Sequence, residues 1–168
     1  MIALELTNIK EFMNTLLKSD TFDHFLLQEA VITKAASYVI DGHLTPGFYS
    51  PEELEEQQLS GLTMLPFGRL RENCFDLVKG KKAPLSFRFV FLLSPDNLEK
   101  TLNSLQSSYS VSDISGMFLN IKYQNQLLTL TTGVSYRIFS TDKSLEHSWD
   151  QLVLKFLNQK EIPYEQLG

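Results

Sequence analysis

The run Leu85-Ser86-Phe87-Arg88-Phe89-Val90-Phe91-Leu92-Leu93 settles how this chain is built. Phe87, Phe89 and Phe91 recur at every second position, which places them on one face of a strand, with Arg88, Val90 and Leu92 on the other. Apolar residues on both faces predict a strand inside a sheet rather than at its edge. Ser94-Pro95-Asp96 follows at once and carries the cap and first-turn proline of a helix, whose Leu98, Leu102 and Leu105 form one apolar stripe. Beyond a polar loop from Ser107 to Asp113, the runs Met117 to Tyr123, Leu127 to Thr132 and Val134 to Phe139 read as three strands. They are joined near Gln124-Asn125 and at Gly133.

Upstream, the same order is met a first time. Residues 1–7 favour a strand, and Asn8 caps a helix whose Ile9, Phe12, Met13, Leu16 and Leu17 share a face. Ser19-Asp20-Thr21 ends that helix. Phe25 to Ile40 then alternates as a hairpin with its turn near Lys34-Ala35-Ala36. The spacing therefore predicts an α+β protein of two strand-helix-hairpin halves, about 1–44 and 85–140, whose antiparallel sheets pair beneath a helical cover around an aromatic core.

Between the halves lies a helical insert over 50–80. Ser50, Pro51 and Glu53 make a capping box, and the acidic start formed by Glu52, Glu53, Glu55 and Glu56 suits the positive end of a helix. A second helix is predicted from Pro66, with Phe67, Leu70, Cys74, Leu77 and Val78 on one face and Gly80 as its stop. A last helix over 143–159 stacks Leu145, Trp149, Leu152, Val153, Phe156 and Leu157 into a stripe that must dock on the sheet. Only the extreme C-terminus reads as a candidate for disorder.

The 168 residues suit a single domain, 43% apolar and 21% charged, with 12 Phe. A net charge of −5 argues against a protein whose whole surface grips nucleic acid. With Cys74 alone, neither an intramolecular disulfide nor a thiolate zinc site can be assembled. Met1 to Leu6 reads as a strand rather than a signal peptide, and no window approaches the roughly 20 apolar residues of a membrane span. These features predict a cytoplasmic protein without a membrane partner.

The order of strand, helix and antiparallel strands, seen twice and best between Phe87 and Phe139, resembles the half-domain repeat of the DNA sliding-clamp fold. The insert over 50–80 departs from that pattern. Over its full length the chain also resembles an uncharacterised bacterial protein family. The runs that carry this likeness are Ile40-Asp41-Gly42-His43, Tyr49-Ser50-Pro51-Glu52-Glu53-Leu54, and Leu77 to Phe87. That family implies no activity and no catalytic residues.

Two constellations are candidates for chemistry. Arg69, Arg71, Lys79, Lys81 and Lys82 concentrate positive charge on and after one helix, where phosphates could bind; Glu72 and Asp76 on the same helix offer ordinary pairing instead. Asp41 and His43, with Tyr49 near, could form an acid/base pair in a pocket. Alternatively Asp41 bonds its own backbone and leaves His43 in solvent. His24, His43 and His147 lack the spacing of a metal site, Cys74 lies on an apolar stripe, and no phosphate-loop or nucleophile-elbow motif occurs. No cofactor is implied. The reading that follows is a non-catalytic binding or assembly module, with homodimerisation through sheet edges. A clamp-like nucleic-acid accessory protein using the basic ridge, and a small enzyme with a site near the 41–49 turn, are the alternatives.

Overall fold

A computed structural model describes residues 1–168. The decisive stretch forms strand β4 (Ser86–Leu92), and it lies inside the sheet as its double apolar character requires. The other elements are β1 (Ala3–Leu6), α1 (Ile9–Lys18), β2 (Leu26–Thr33), β3 (Ser37–Asp41), α2 (Pro51–Glu56) and α3 (Arg71–Val78). After β4 come α4 (Pro95–Ser104), β5 (Ile114–Gln124), β6 (Leu127–Tyr136), α5 (Ser144–Gln159) and β7 (Tyr164–Gln166). Asn8 caps α1 and the Ser50–Glu53 capping box opens α2, as their side chains dictate.

All seven strands lie in one antiparallel sheet, ordered β3-β2-β4-β5-β6-β1-β7. The fold is therefore α+β, but the two halves share a single sheet instead of pairing two. Their places in it are not equivalent: β4 sits between β2 and β5, whereas β1 sits between β6 and β7. The reason is that β1 completes its pairing with β6 and the C-terminal β7, which leaves β2 to pair with β4.

Two further expectations are corrected. Gly133 does not divide two strands; it pairs with Phe118 inside an unbroken β6 that ends at Tyr136. A glycine within a ladder does not force a turn where its neighbours keep the pairing. The C-terminal residues are also ordered as an edge strand, Leu4 to Leu6 pairing with Gln166 to Tyr164.

The helix-covered face holds the core. Phe87, Phe89 and Phe91 point into it beside Ala30, Ile32, Leu119, Ile121 and Leu130, all buried. Phe91 stacks on Phe22 at 5.7 Å and meets Phe67 edge-on at 4.9 Å, while Phe22 is in turn met by Phe12 of α1 and Phe156 of α5. Such ring pairs add about 0.5–1.5 kcal/mol each beyond burial. Near the Phe91 end, the segment after β3 is laced to β2. The Leu27 amide donates to the Leu65 carbonyl, the Leu65 amide to the Gly42 carbonyl, and the Phe67 amide to the Phe25 carbonyl. Gly42 is required there, because a Cβ would lie 1.8 Å from the Leu27 carbonyl oxygen.

Candidate functional site

At the other end of β4 the core finishes in one last row, and the chain beyond that row is open. One cross-strand row runs Tyr38, Ile32, Phe87, Tyr123, Leu128, and the ring of Tyr123 stacks on Phe87 at 5.2 Å. Beyond this row three connections converge: the β2–β3 turn, the residues that lead into β4, and the β5–β6 turn. They enclose an open groove of about 920 Å³. Lys34, Tyr38, Lys82, Ser86, Tyr123 and the amides of Gln124, Asn125 and Gln126 line it, with Ala35, Ala83, Pro84 and Leu85 as its apolar wall. No Asp or Glu is among the twelve lining residues. Asn125 and Gln126 reach this turn with φ of 53° and 63°, the left-handed pair that a tight hairpin between β5 and β6 demands.

A smaller hollow of about 200 Å³ adjoins it and shares Ser86, Tyr123 and Gln124. Here strand register sets Arg88 directly opposite Lys122. Like charges facing each other across a ladder are unfavourable. Glu29 offsets this through its 2.7 Å contact with Arg88, while Lys122 and Lys82 make no ion pair. The Lys34 ammonium donates to the Lys79 carbonyl at 3.1 Å. Lys34 and Lys82 thus line the groove, and Arg88 and Lys122 the hollow beside it, where Glu29 partners Arg88 alone.

The basic ridge is dispersed. Arg69 donates to the side chain and carbonyl of Gln57, both at 2.8 Å. Arg71 grips Asp23 through two hydrogen bonds, at 2.9 and 3.2 Å, and that carboxylate raises its already high pKa. Lys79 pairs with Asp76 at 3.0 Å and lies over the Phe75 ring. Lys81 is exposed, and Lys82 alone of the five lines the groove. Lys34 escapes a reading of the sequence because only the pairing of β2 with β4 brings it to the groove, and Lys122 because only the pairing of β4 with β5 brings it to the adjoining hollow.

Asp41 and His43 do meet, Oδ1 to Nδ1 at 2.5 Å, and Asp41 also accepts from the His43 amide at 3.0 Å. The backbone bond, then the side-chain bond, hold the Asp41 carboxyl below its usual range. Both side chains are more than half exposed. Tyr49 packs edge-on against Phe48 instead. The geometry is that of a turn bonded to its own backbone, without a water-excluded space. Cys74 is fully buried, and burial pushes its thiol up to about 12, so it is not a nucleophile at neutral pH.

A buried polar contact is not legible in the sequence: Thr132 donates its hydroxyl to Asp150 at 2.5 Å and accepts from the Ile2 amide at 3.0 Å. No group of three or more His, Cys, Asp or Glu side chains is arranged to hold a metal ion, and no helix is long and apolar enough to cross a membrane.

These observations define an α+β protein built on one antiparallel sheet with an acid-free groove at its end. The chain belongs to DUF5721, a family of unknown function whose model matches residues 15–165. No curated protein and no solved structure matches it, so the sliding-clamp likeness gains no support from either.

Proposed function

We propose that the protein is a non-catalytic binding module, and that the groove between the β2–β3 and β5–β6 turns receives a ligand carrying more than one negative charge. The observation that carries this reading is the charge distribution. In a chain of net charge −5, twelve residues line the groove without a carboxylate, and Lys82 in the groove and Lys122 in the adjoining hollow are left without ionic partners. Solvated lysines at a water-exposed rim keep most of their hydration, yet they steer anions and strengthen contacts to them by about 1.5–3 kcal/mol each when a charged hydrogen bond forms. Tyr38, Tyr123 and the exposed Leu85, at 75% of its full accessibility, offer flat and apolar surface to the ligand's body. A reducing, cytoplasmic setting fits the single unpaired thiol.

Titration of isotope-labelled protein with inorganic tripolyphosphate, followed by amide NMR, tests it. Shifts are expected to concentrate at Lys82 to Ser86 and Lys122 to Gln126, and to fade as salt rises. Lys82→Glu combined with Lys122→Glu should weaken binding at least about tenfold, equivalent to about 1.4 kcal/mol. Shifts centred on Arg69 and Arg71 instead, or none at low salt, would refute the assignment.

A further inference from the structure

The sheet has two free edges, and they are unlike. β7 is three residues long and carries Glu165, a short and charged edge of the kind that discourages pairing with another chain. β3, Ser37-Tyr38-Val39-Ile40-Asp41, has no Lys, no Pro and no bulge, and hydrogen-bonds to β2 on one side only. Its outer N–H and C=O groups are a template for a further strand. Val39 stands on it 61% exposed and Tyr38 43% exposed. No further strand pairs with either on this side.

We infer that β3 pairs with β3 of a second copy of this chain, antiparallel and about a two-fold axis at Val39, to run one continuous sheet through both molecules. The strand's polarity reads the same in both directions: polar, three apolar residues, polar. Antiparallel pairing centred on Val39 sets Val39 against its own counterpart on the open face. On the helix-covered face each Tyr38 meets the other copy's Ile40, an aromatic and β-branched pair of the kind that stabilises antiparallel ladders.

Charge agrees with this direction. Asp41 closes one end of β3, and the cations Lys34 and Lys82 lie beyond the other. The two-fold arrangement brings each strand's acidic end toward the basic end of its mate, while parallel pairing would stack like on like. Because the interface is isologous it closes at two copies; β3-to-β7 pairing would instead propagate without limit, and the short charged β7 opposes it.

Sedimentation equilibrium of the full chain from low to high micromolar concentration tests the inference. The expected species is a dimer of twice 19.2 kDa. Val39→Lys places two ammonium groups opposite each other at the axis and should weaken association at least about tenfold. Since Val39 is exposed, an unchanged circular dichroism spectrum will show that the fold survives. Val39→Cys supplies a second measurement: a short bismaleimide should join two copies of this variant through the new thiol, while wild-type protein, whose Cys74 is buried, should not crosslink. A monomer at every concentration overturns the inference, even if an unrelated extended peptide then binds β3. A dimer indifferent to Val39→Lys, with no crosslink in the Val39→Cys variant, overturns it equally.

Discussion

The two ends of β4 have the same alternating sequence and opposite fates. At the Phe91 end, rings from α1, α5 and the residue-67 turn close over the sheet, and the segment after β3 is laced onto β2. At the Phe87 end, a tyrosine stacks on the last phenylalanine and the sheet opens into a groove lined by lysines and amides. What separates them is the covering, supplied by residues distant in sequence. A strand's own pattern fixes its place in the sheet, while its neighbours decide whether its end serves stability or contact.

The sharpest way to break this contrast is Gly42→Ala. A methyl group 1.8 Å from the Leu27 carbonyl forces the laced segment off β2, and the cost should be several kcal/mol in urea unfolding, with partial exposure of the Phe91 end. Phe91→Ala should cost about 3–5 kcal/mol by the same measurement, since it removes a ring packed against Phe22, Phe67 and Phe25. Equal losses from Tyr123→Ala at the open end would erase the distinction.

A milder probe lies away from both ends. The Tyr136 hydroxyl is buried without a hydrogen-bond partner, and burial, followed by the nearby Glu146 charge, pushes its pKa up to about 12. Tyr136→Phe removes that unpaired group and should leave thermal stability unchanged or raise it by about 1 kcal/mol; a clear loss would mean that the hydroxyl is bonded in solution.

The smallest expected effect concerns Asp41. Its folded pKa is lowered, so its contribution to stability is present above the ordinary carboxylate range and is lost as pH falls through the lowered value. The largest cause is the backbone amide of His43, which His43→Ala retains. NMR titration of that variant should therefore show Asp41 still depressed, though less. A return to the ordinary value would assign the effect to the imidazole.

Local features are legible in the sequence wherever a residue acts on its near neighbours. The β4 alternation, the Asn8 and Ser50 caps, and the burial of Cys74 all follow from spacings of two to four residues. The single sheet is not legible, because nothing in β1 announces that it pairs with β6 and not with β2. Gly133 misleads for the same reason: its partner Phe118 is fixed by tertiary pairing. The basic ridge dissolves because Arg69 and Arg71 find Gln57 and Asp23, 12 and 48 residues away. The groove is invisible in the sequence because Lys34 and Lys82 come to line it only through the pairing of β2 with β4.

The most direct test of the division between the two ends is to measure urea unfolding and tripolyphosphate binding together on the Lys82→Glu, Lys122→Glu double variant. The account predicts stability within about 0.5 kcal/mol of wild type, as for exposed substitutions, with binding reduced at least about tenfold. Lost stability with undiminished binding would contradict it, since the two lysines would then hold the fold together and the anion would sit elsewhere.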